Sequence, residues 1–505
     1  MDKRYLFVAE ADKIQDLLFC SSKLREVAGG SVMLTEFCEE LVPQLINEFN
    51  GKEIISAGGS FRILFNSKEK AEEFGDYLSE LYRRVIGGTI TVAEPVEVTS
   101  EKDAIEKAQV NLRKAKHQGK IPVSTEQIPY TAICASCGIG IARYFIKESD
   151  EKKERYLCEV CKRKSEARKR IREKFLKKFA EYIGNGKKIA DDKKIAGINA
   201  KNYVAYIVAD VNNMGTVFSS CNSFNELKNL SSSLNDVIQK SLAEPVKLLM
   251  KNLKESFPER DDIDSIPVLP LILAGDDVFA IIPAKWALDF THRFCNDFEI
   301  RIKDYLKKIG IVNDISPTIS SSVIICKGKF PYLIAHNIGE ELLNKAKKKA
   351  KKENKSTISF NVLAGSEIVR KSEEEKKFVA SYPAYTVEEL EKLIEYRLKL
   401  KNLPGTRRIQ LETIFYKAEM LKGSTAFSRM ISEWVPERDS IIKRIEKPLR
   451  DNIIDALKNL GNSKEDHNWV ECKGKYYHKL PDLLISWDFA YDLDKKPLMY
   501  EGEMK

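Results

Sequence analysis

Tyr203-Val204-Ala205-Tyr206-Ile207-Val208-Ala209-Asp210, followed by Val211-Asn212-Asn213-Met214-Gly215, is the stretch on which the fold turns. An unbroken run of Val, Ile, Ala and Tyr reads as a buried strand, and this one ends on a carboxylate. Residues 269–283 read as a hairpin with apolar strands around the tip Ala274-Gly275-Asp276-Asp277. Residues 223–253 have a helical pattern, and so do residues 284–310, before a strand at 317–326. Strand, helix, hairpin, helix, strand is the split βαβ, ferredoxin-like order. A basic helix at 331–352 and a strand at 357–362 extend the unit.

The same order precedes it. Residues 4–10 read as a strand, and 13–49 as a long helical stretch broken near Gly29-Gly30. Residues 53–65 read as two strands around Gly58-Gly59, 67–86 as a helix and 89–94 as a strand. This is a long-range internal repeat. Val8-Ala9-Glu10 matches Val208-Ala209-Asp210, and Ala57-Gly58-Gly59-Ser60 matches Ala274-Gly275-Asp276-Asp277. The first copy has Gly and Ser where the second has two carboxylates. Matches this short also arise between unrelated ferredoxin-like units.

In such a sheet the first strand and the central hairpin are neighbours. Asp210, Asp276 and Asp277 are therefore expected to meet at one edge, where three carboxylates can hold two divalent cations about 4 Å apart. One cation would activate a ribose hydroxyl and the other would neutralise a leaving pyrophosphate. Val211 joins the expected cation ligands. The loop through Asn212, Asn213 and Gly215 enters a helix, where amide groups can cradle phosphates. Lys345 and Lys347 on the basic helix are candidates for the triphosphate, against the plainer reading of a solvated face. A lone Gly-Asp-Asp is often just a turn; its combination with Asp210 favours catalysis.

Cys134-x2-Cys137 and Cys158-x2-Cys161, 20 residues apart, have the spacing of a tetrahedral structural zinc site. Unligated thiols or a redox pair are the alternatives. The other six cysteines are scattered singly, which fits a reducing compartment rather than a disulfide framework. The basic stretch 162–194, with Lys162-Arg163-Lys164, Arg168-Lys169-Arg170 and Lys177-Lys178, either tracks a nucleic-acid backbone or is a solvated helix balanced by its own Glu residues. The 505 residues are 43% apolar and 31% charged, with net charge +9, as expected of a folded chain of several domains. No apolar run of 18 residues occurs and no secretory leader is seen, so no membrane span and a cytoplasmic location are expected.

Taken together, these residues resemble the large polymerase/cyclase subunit of type III CRISPR effector complexes. The resemblance is carried by Lys13-Ile14-Gln15-Asp16-Leu17-Leu18-Phe19 with Leu24-Arg25 and Ala28-Gly29-Gly30-Ser31, by the four cysteines, by Asp210 with Ala274-Gly275-Asp276-Asp277, and by Pro317-Thr318-Ile319-Ser320 leading to Glu341-Leu342-Leu343-Asn344-Lys345-Ala346-Lys347. It runs over residues 1–365. It implies an α+β fold: a first palm domain (1–98), a helical linker with the zinc module (99–200), a catalytic palm (201–375) and a C-terminal α-helical domain (376–505). It implies two ATP molecules bound between facing palms and joined by 3′–5′ linkages into cyclic oligoadenylate, in response to target RNA paired with a guide RNA. Asp210, Asp276 and Asp277 would ligate Mg²⁺ or Mn²⁺, and Gly58, Gly59, Ser60 and Gly275 would line the nucleotide site. A small helical subunit and the backbone subunits of the ribonucleoprotein would be partners.

Two departures stand out. Many relatives begin with an HD nuclease domain; this chain lacks a His-Asp pair, so no such DNase activity is expected. Ala274 replaces the usual Gly, and its methyl disfavours positive φ; with both Asp retained, activity is still expected. The competing readings are a scaffold with a vestigial palm, and a cyclase making a dinucleotide from GTP.

Overall fold

The computed structural model describes residues 3–21, 23–118, 131–148, 153–184, 189–190, 192–198, 202–256, 265–309, 316–363, 377–421, 423, 425–461 and 465–495. Its strands are β1 (Tyr5–Ala11), β2 (Lys52–Ala57), β3 (Ser60–Phe65), β4 (Ile90–Val92), β5 (Val96–Glu97), β6 (Tyr144–Glu148), β7 (Lys153–Leu157), β8 (Tyr203–Asn212), β9 (Leu269–Ala274), β10 (Asp277–Pro283), β11 (Thr318–Lys327), β12 (Thr357–Val362), β13 (Phe378–Val379), β14 (Tyr385–Thr386), β15 (Val470–Cys472) and β16 (Lys475–Tyr477).

The first sheet runs β2-β3-β1-β4, with β5 also on β1. The second contains the same arrangement as β9-β10-β8-β11, extended by β12 and β14. Both have the ferredoxin-like order predicted from the sequence. The central strands earn their place by composition: β8 and β11 are buried along almost their whole length. Each buried Ile, Val or Phe contributes about 1.5–3 kcal/mol relative to exposure. Helices Phe224–Ser256 and Ala287–Lys308 pack together under the second sheet. Tyr332–Glu353 covers its other side, against β8, β11 and β12.

Several boundaries depart from the sequence reading. The first long helix does not break at Gly29-Gly30. It is divided after Ile14–Phe19, and the glycines lie inside helix Leu24–Glu36. Their role is close approach: a Cβ on Gly29 would sit 1.8 Å from the Lys164 carbonyl oxygen of helix Glu159–Ile183. In the region expected to be helical, residues 439–460 fall in two helices, Val435–Lys443 and Leu449–Leu460, separated at Pro448, which cannot donate to the helix ladder. The C-terminal region is not purely helical: β13, β16 and β15 form a small sheet. Trp469 and Trp487 are buried, so this region packs into the fold.

Candidate functional site

Antiparallel pairing sets Asp210 of β8 directly opposite Asp277 of β10, and Ala274 opposite Asp277 on the other side. Asp276 occupies the turn between them. Its carbonyl accepts the Val211 N–H at 3.3 Å, tying the hairpin tip to the end of β8. The tip requires φ of 66° at Gly275, which glycine adopts freely. Ala274 is still strand, so the turn asks no positive φ of it.

The first palm repeats this frame with different chemistry. Glu10 stands opposite Ser60, and Ala57 opposite Ser60, around Gly58 and Gly59 at φ 58° and 79°. Lys116, on helix Glu101–Gln118, pairs with Glu10; Lys347, on helix Tyr332–Glu353, pairs with Asp210 at 2.7 Å. The matched register and the matched lysine extend the repeat well beyond the sequence match. Arg62 adds a second cation at 3.7 Å from Glu10 and donates to Ser60 Oγ.

The two hairpins meet tip to tip: a Cβ on Gly275 would lie 3.9 Å from Gly58 Cα. Beside them a cavity of about 840 Å³ opens between the palms, lined by Gly58, Gly59, Ser60, Gly215, Gly275 and Asp276 among others. Its volume falls in the range of small-molecule sites. Asp210 and Asp277 are not part of that lining; they stand in the sheet next to Asp276.

The acids repel one another in a confined space. Asp277 is pushed up to about 7, first by burial and then by Asp276 and Asp210. Asp276 faces the cavity, but the surrounding walls and Asp210 push it up to about 6. Lys347 opposes both shifts. So does Gln15 of the first palm at Asp277, whose Oδ1 accepts its side-chain amide at 3.3 Å. Gln15 was missed in the sequence as a site residue, although it lies inside the quoted stretch 13–19; nothing local signals a partner 262 positions away.

Other expected residues fall less simply. Asn212 donates its amide to Thr318 and Ser320, so its side chain serves the sheet. Asn213 takes the left-handed conformation at φ 67° ahead of helix Met214–Ser219. Lys345 is half-buried two positions before Lys347. In the basic stretch, Lys162 pairs with Glu166, Arg163 with Glu159, and Lys178 with Asp236. The first two pairs balance the helix with its own Glu residues and the third ties it to helix Phe224–Ser256; the side chains of Arg168-Lys169-Arg170 lie outside the described residues.

The four cysteines gather. Cys134, Cys137, Cys158 and Cys161 place their sulfurs within 4.8 Å of one another, and among the described residues they are the one such group of metal-ligating side chains. The carboxylates at the second palm are not drawn together to that degree, since Asp210 is held by Lys347. The N–H groups of Ser136, Gly140 and Cys161 donate to Cys134, Cys137 and Cys158 sulfur at 3.4, 3.5 and 3.4 Å. These bonds favour thiolates, the form a metal requires. Gly140 leaves the space clear, since a Cβ there would meet Cys158 Cβ at 2.7 Å. The donor set fits zinc.

Twin ferredoxin-like units thus stand tip to tip over a cavity, with an acidic hairpin on one side only. Residues 203–357 match the family described as Cas10/Cmr2, second palm domain. No curated protein matches the chain. Among solved structures, a Csm1-Csm4 cassette in complex with pppApApA is similar at TM-score 0.57 and 12% identity, covering 98% of this chain and 70% of that one. A cassette in complex with cA3 gives 0.56 and 12%, over 97% and 70%. Csm1 in T. onnurineus gives 0.55 and 13%, also over 97% and 70%. The resemblance to the type III CRISPR large subunit is therefore borne out in the second palm and in the fold. Among the described residues no helix is long and apolar enough to cross a membrane.

Proposed function

We propose that the chain is a cytoplasmic nucleotidyltransferase that joins ATP through 3′–5′ linkages into cyclic oligoadenylate, as the large subunit of a type III CRISPR ribonucleoprotein. The observation that carries this reading is the Asp210–Asp277 register pair with Asp276 on the cavity wall, facing the glycine hairpin of a second palm. Complexes of similar structures with cA3 and pppApApA support it.

Asp210, Asp276 and Asp277 would hold two Mg²⁺ or Mn²⁺ ions, with the Val211 carbonyl as a further ligand. Such ions supply activation of a ribose hydroxyl and charge neutralisation of a leaving pyrophosphate. The chain's own residues do the rest. Lys347 neutralises Asp210 and is placed where it would contact a triphosphate. Gly58, Gly59 and Gly275, lacking side chains, let a nucleotide approach the backbone closely. Ser60, held by Arg62, offers a hydroxyl on the acceptor side. The first palm has no acid at its hairpin tip, so it binds rather than catalyses. Zinc in the four-cysteine module is structural, because four thiolates leave no position for water. Guide RNA paired with target RNA triggers synthesis, and the C-terminal region docks a small helical subunit and backbone subunits.

The test is incubation of the purified chain, alone and within its guide complex with target RNA, with each of the four nucleoside triphosphates and Mg²⁺ or Mn²⁺. Release of pyrophosphate with oligoadenylate from ATP is expected. Product from GTP alone, or no product from a complex that binds its RNA, overturns the reading.

A further inference from the structure

The short helix Ile14–Phe19 lies where three parts of the molecule meet. Gln15 donates to Asp277 Oδ1 of the second palm at 3.3 Å. Ile14 lies against the other hairpin: a Cβ on Gly59 would meet Ile14 Cδ1 at 2.6 Å. Phe19 stacks on His336, with ring centres 3.5 Å apart, and meets Phe279 edge-on at 4.9 Å. Phe279 lies two residues beyond Asp277 on β10, and His336 is on the helix that carries Lys347. This one helix therefore touches both hairpins and the element bearing the lysine.

Six residues are too few to hold such a position by helix formation alone. The anchor comes from the four-cysteine module. Lys164, three residues after Cys161, is buried and donates its ammonium to the Leu17 carbonyl at 2.6 Å, at the end of that helix. Its own carbonyl fills the space left by Gly29. Ser136, between Cys134 and Cys137, bonds the buried carboxylate of Glu26, which also accepts from Arg155 of β7 at 2.5 Å and from Ser21 at 2.8 Å. Glu26 and Ser21 flank the start of helix Leu24–Glu36. Two independent sets of buried polar bonds thus fix the first palm's helices to the cysteine module.

We propose that Gln15 is a positioning residue for Asp277 and that the cysteine module, through Lys164, holds Gln15 in place. The inference rests on the reading of Asp277 as a cation ligand. An Asp carboxylate steered by an amide presents one oxygen in a fixed direction. Loss of the amide leaves it free to rotate or to turn away from Asp210. The bond is made to a carboxylate, so its loss should lower cation affinity about tenfold or more.

The experiment uses the full zinc-loaded chain with Mn²⁺ as probe, its binding followed by electron paramagnetic resonance with a non-hydrolysable ATP analogue present. Asp277→Ala tests the underlying reading and should abolish binding at the second palm; Mn²⁺ binding unchanged in that variant sinks the reading itself. Gln15→Leu should weaken Mn²⁺ binding about tenfold, with zinc content and analogue affinity without Mn²⁺ unchanged. Lys164→Met should give the same loss with four thiolates still ligated. The double variant should be no worse than either single one, because both act through one contact. Wild-type Mn²⁺ affinity in Gln15→Leu, alongside a defective Asp277→Ala, overturns the positioning role. Additive losses in the double variant overturn the link to the module. Lys164→Gln, which keeps a donor, replaces Lys164→Met should the latter not fold.

Discussion

Lys347 Nζ lies 2.7 Å from Asp210 Oδ2, so the second palm carries its own counter-ion. A lysine in that position competes with an incoming metal for the same oxygen. Lys347→Met is expected to raise Mn²⁺ affinity several-fold without nucleotide, yet to lower kcat/KM for ATP by about tenfold, since a triphosphate loses a cationic contact. Stability should change by under about 1 kcal/mol, as the pair is partly exposed. Titration calorimetry and steady-state kinetics on the same preparation check both arms; weaker Mn²⁺ binding by the nucleotide-free variant contradicts the idea.

Burial and the neighbouring acids push Asp276 up to about 6 and Asp277 up to about 7. Cations bind the ionised forms, so Mn²⁺ affinity should fall as pH drops from about 8 to 6. Folding responds the other way. A carboxyl raised in the folded state binds more protons there than in the unfolded chain, so it stabilises at low pH and that contribution is lost as pH rises through about 7. In EDTA at pH 8, Asp277→Asn should therefore be more stable than the parent, by roughly 1–3 kcal/mol after allowing for water in the cavity. At pH 4 the difference should vanish. Chemical denaturation at the two pH values measures it.

Loss of the cysteine module should be felt in the first palm. Cys161→Ser, or prolonged chelation, releases Ser136 and Arg155 from Glu26 and leaves its buried carboxylate with Ser21 alone of the three donors described. The expected cost is roughly 3–5 kcal/mol. Hydrogen exchange should show faster opening of residues 14–36, distant in sequence from the cysteines. Unchanged protection of that segment in the zinc-free protein would argue against the coupling.

Gly29→Ala should destabilise by about 2 kcal/mol or more, because its methyl would have to displace the backbone carbonyl of Lys164. Gly405→Ala is the matched control. It opens helix Gly405–Glu419 with nothing within 4 Å of an added Cβ, so it should be neutral or stabilising by up to about 1 kcal/mol. Thermal melts of the two variants suffice.

What was legible in the sequence was whatever repeats locally. Unbroken apolar runs announced β8 and β10, the paired cysteines announced their cluster, and the parallel between residues 8–10 and 208–210 announced two related units. The register that sets Asp210 against Asp277 follows from that order. The close approach at Gly29 was misread as a helix break because a glycine that admits a neighbour and a glycine that ends a helix look alike in one dimension. Lys347 was named as a candidate for the triphosphate, but its pairing with Asp210, like Gln15 and Lys116, was beyond reach for a related reason: each acts across a packed interface, and polar pairing at such distances leaves no periodic trace.

Glu10 with Ser60 and Asp210 with Asp277 occupy twin frames, yet only one frame bears acids at its tip. A space bounded by two near-copies of one backbone is thereby made chemically one-sided. Two identical guests entering it would meet unlike hairpin tips, one carrying Asp276 and the other only Gly58 and Gly59. Under the proposed reading, that difference would give a near-symmetric frame a donor side and a recipient side.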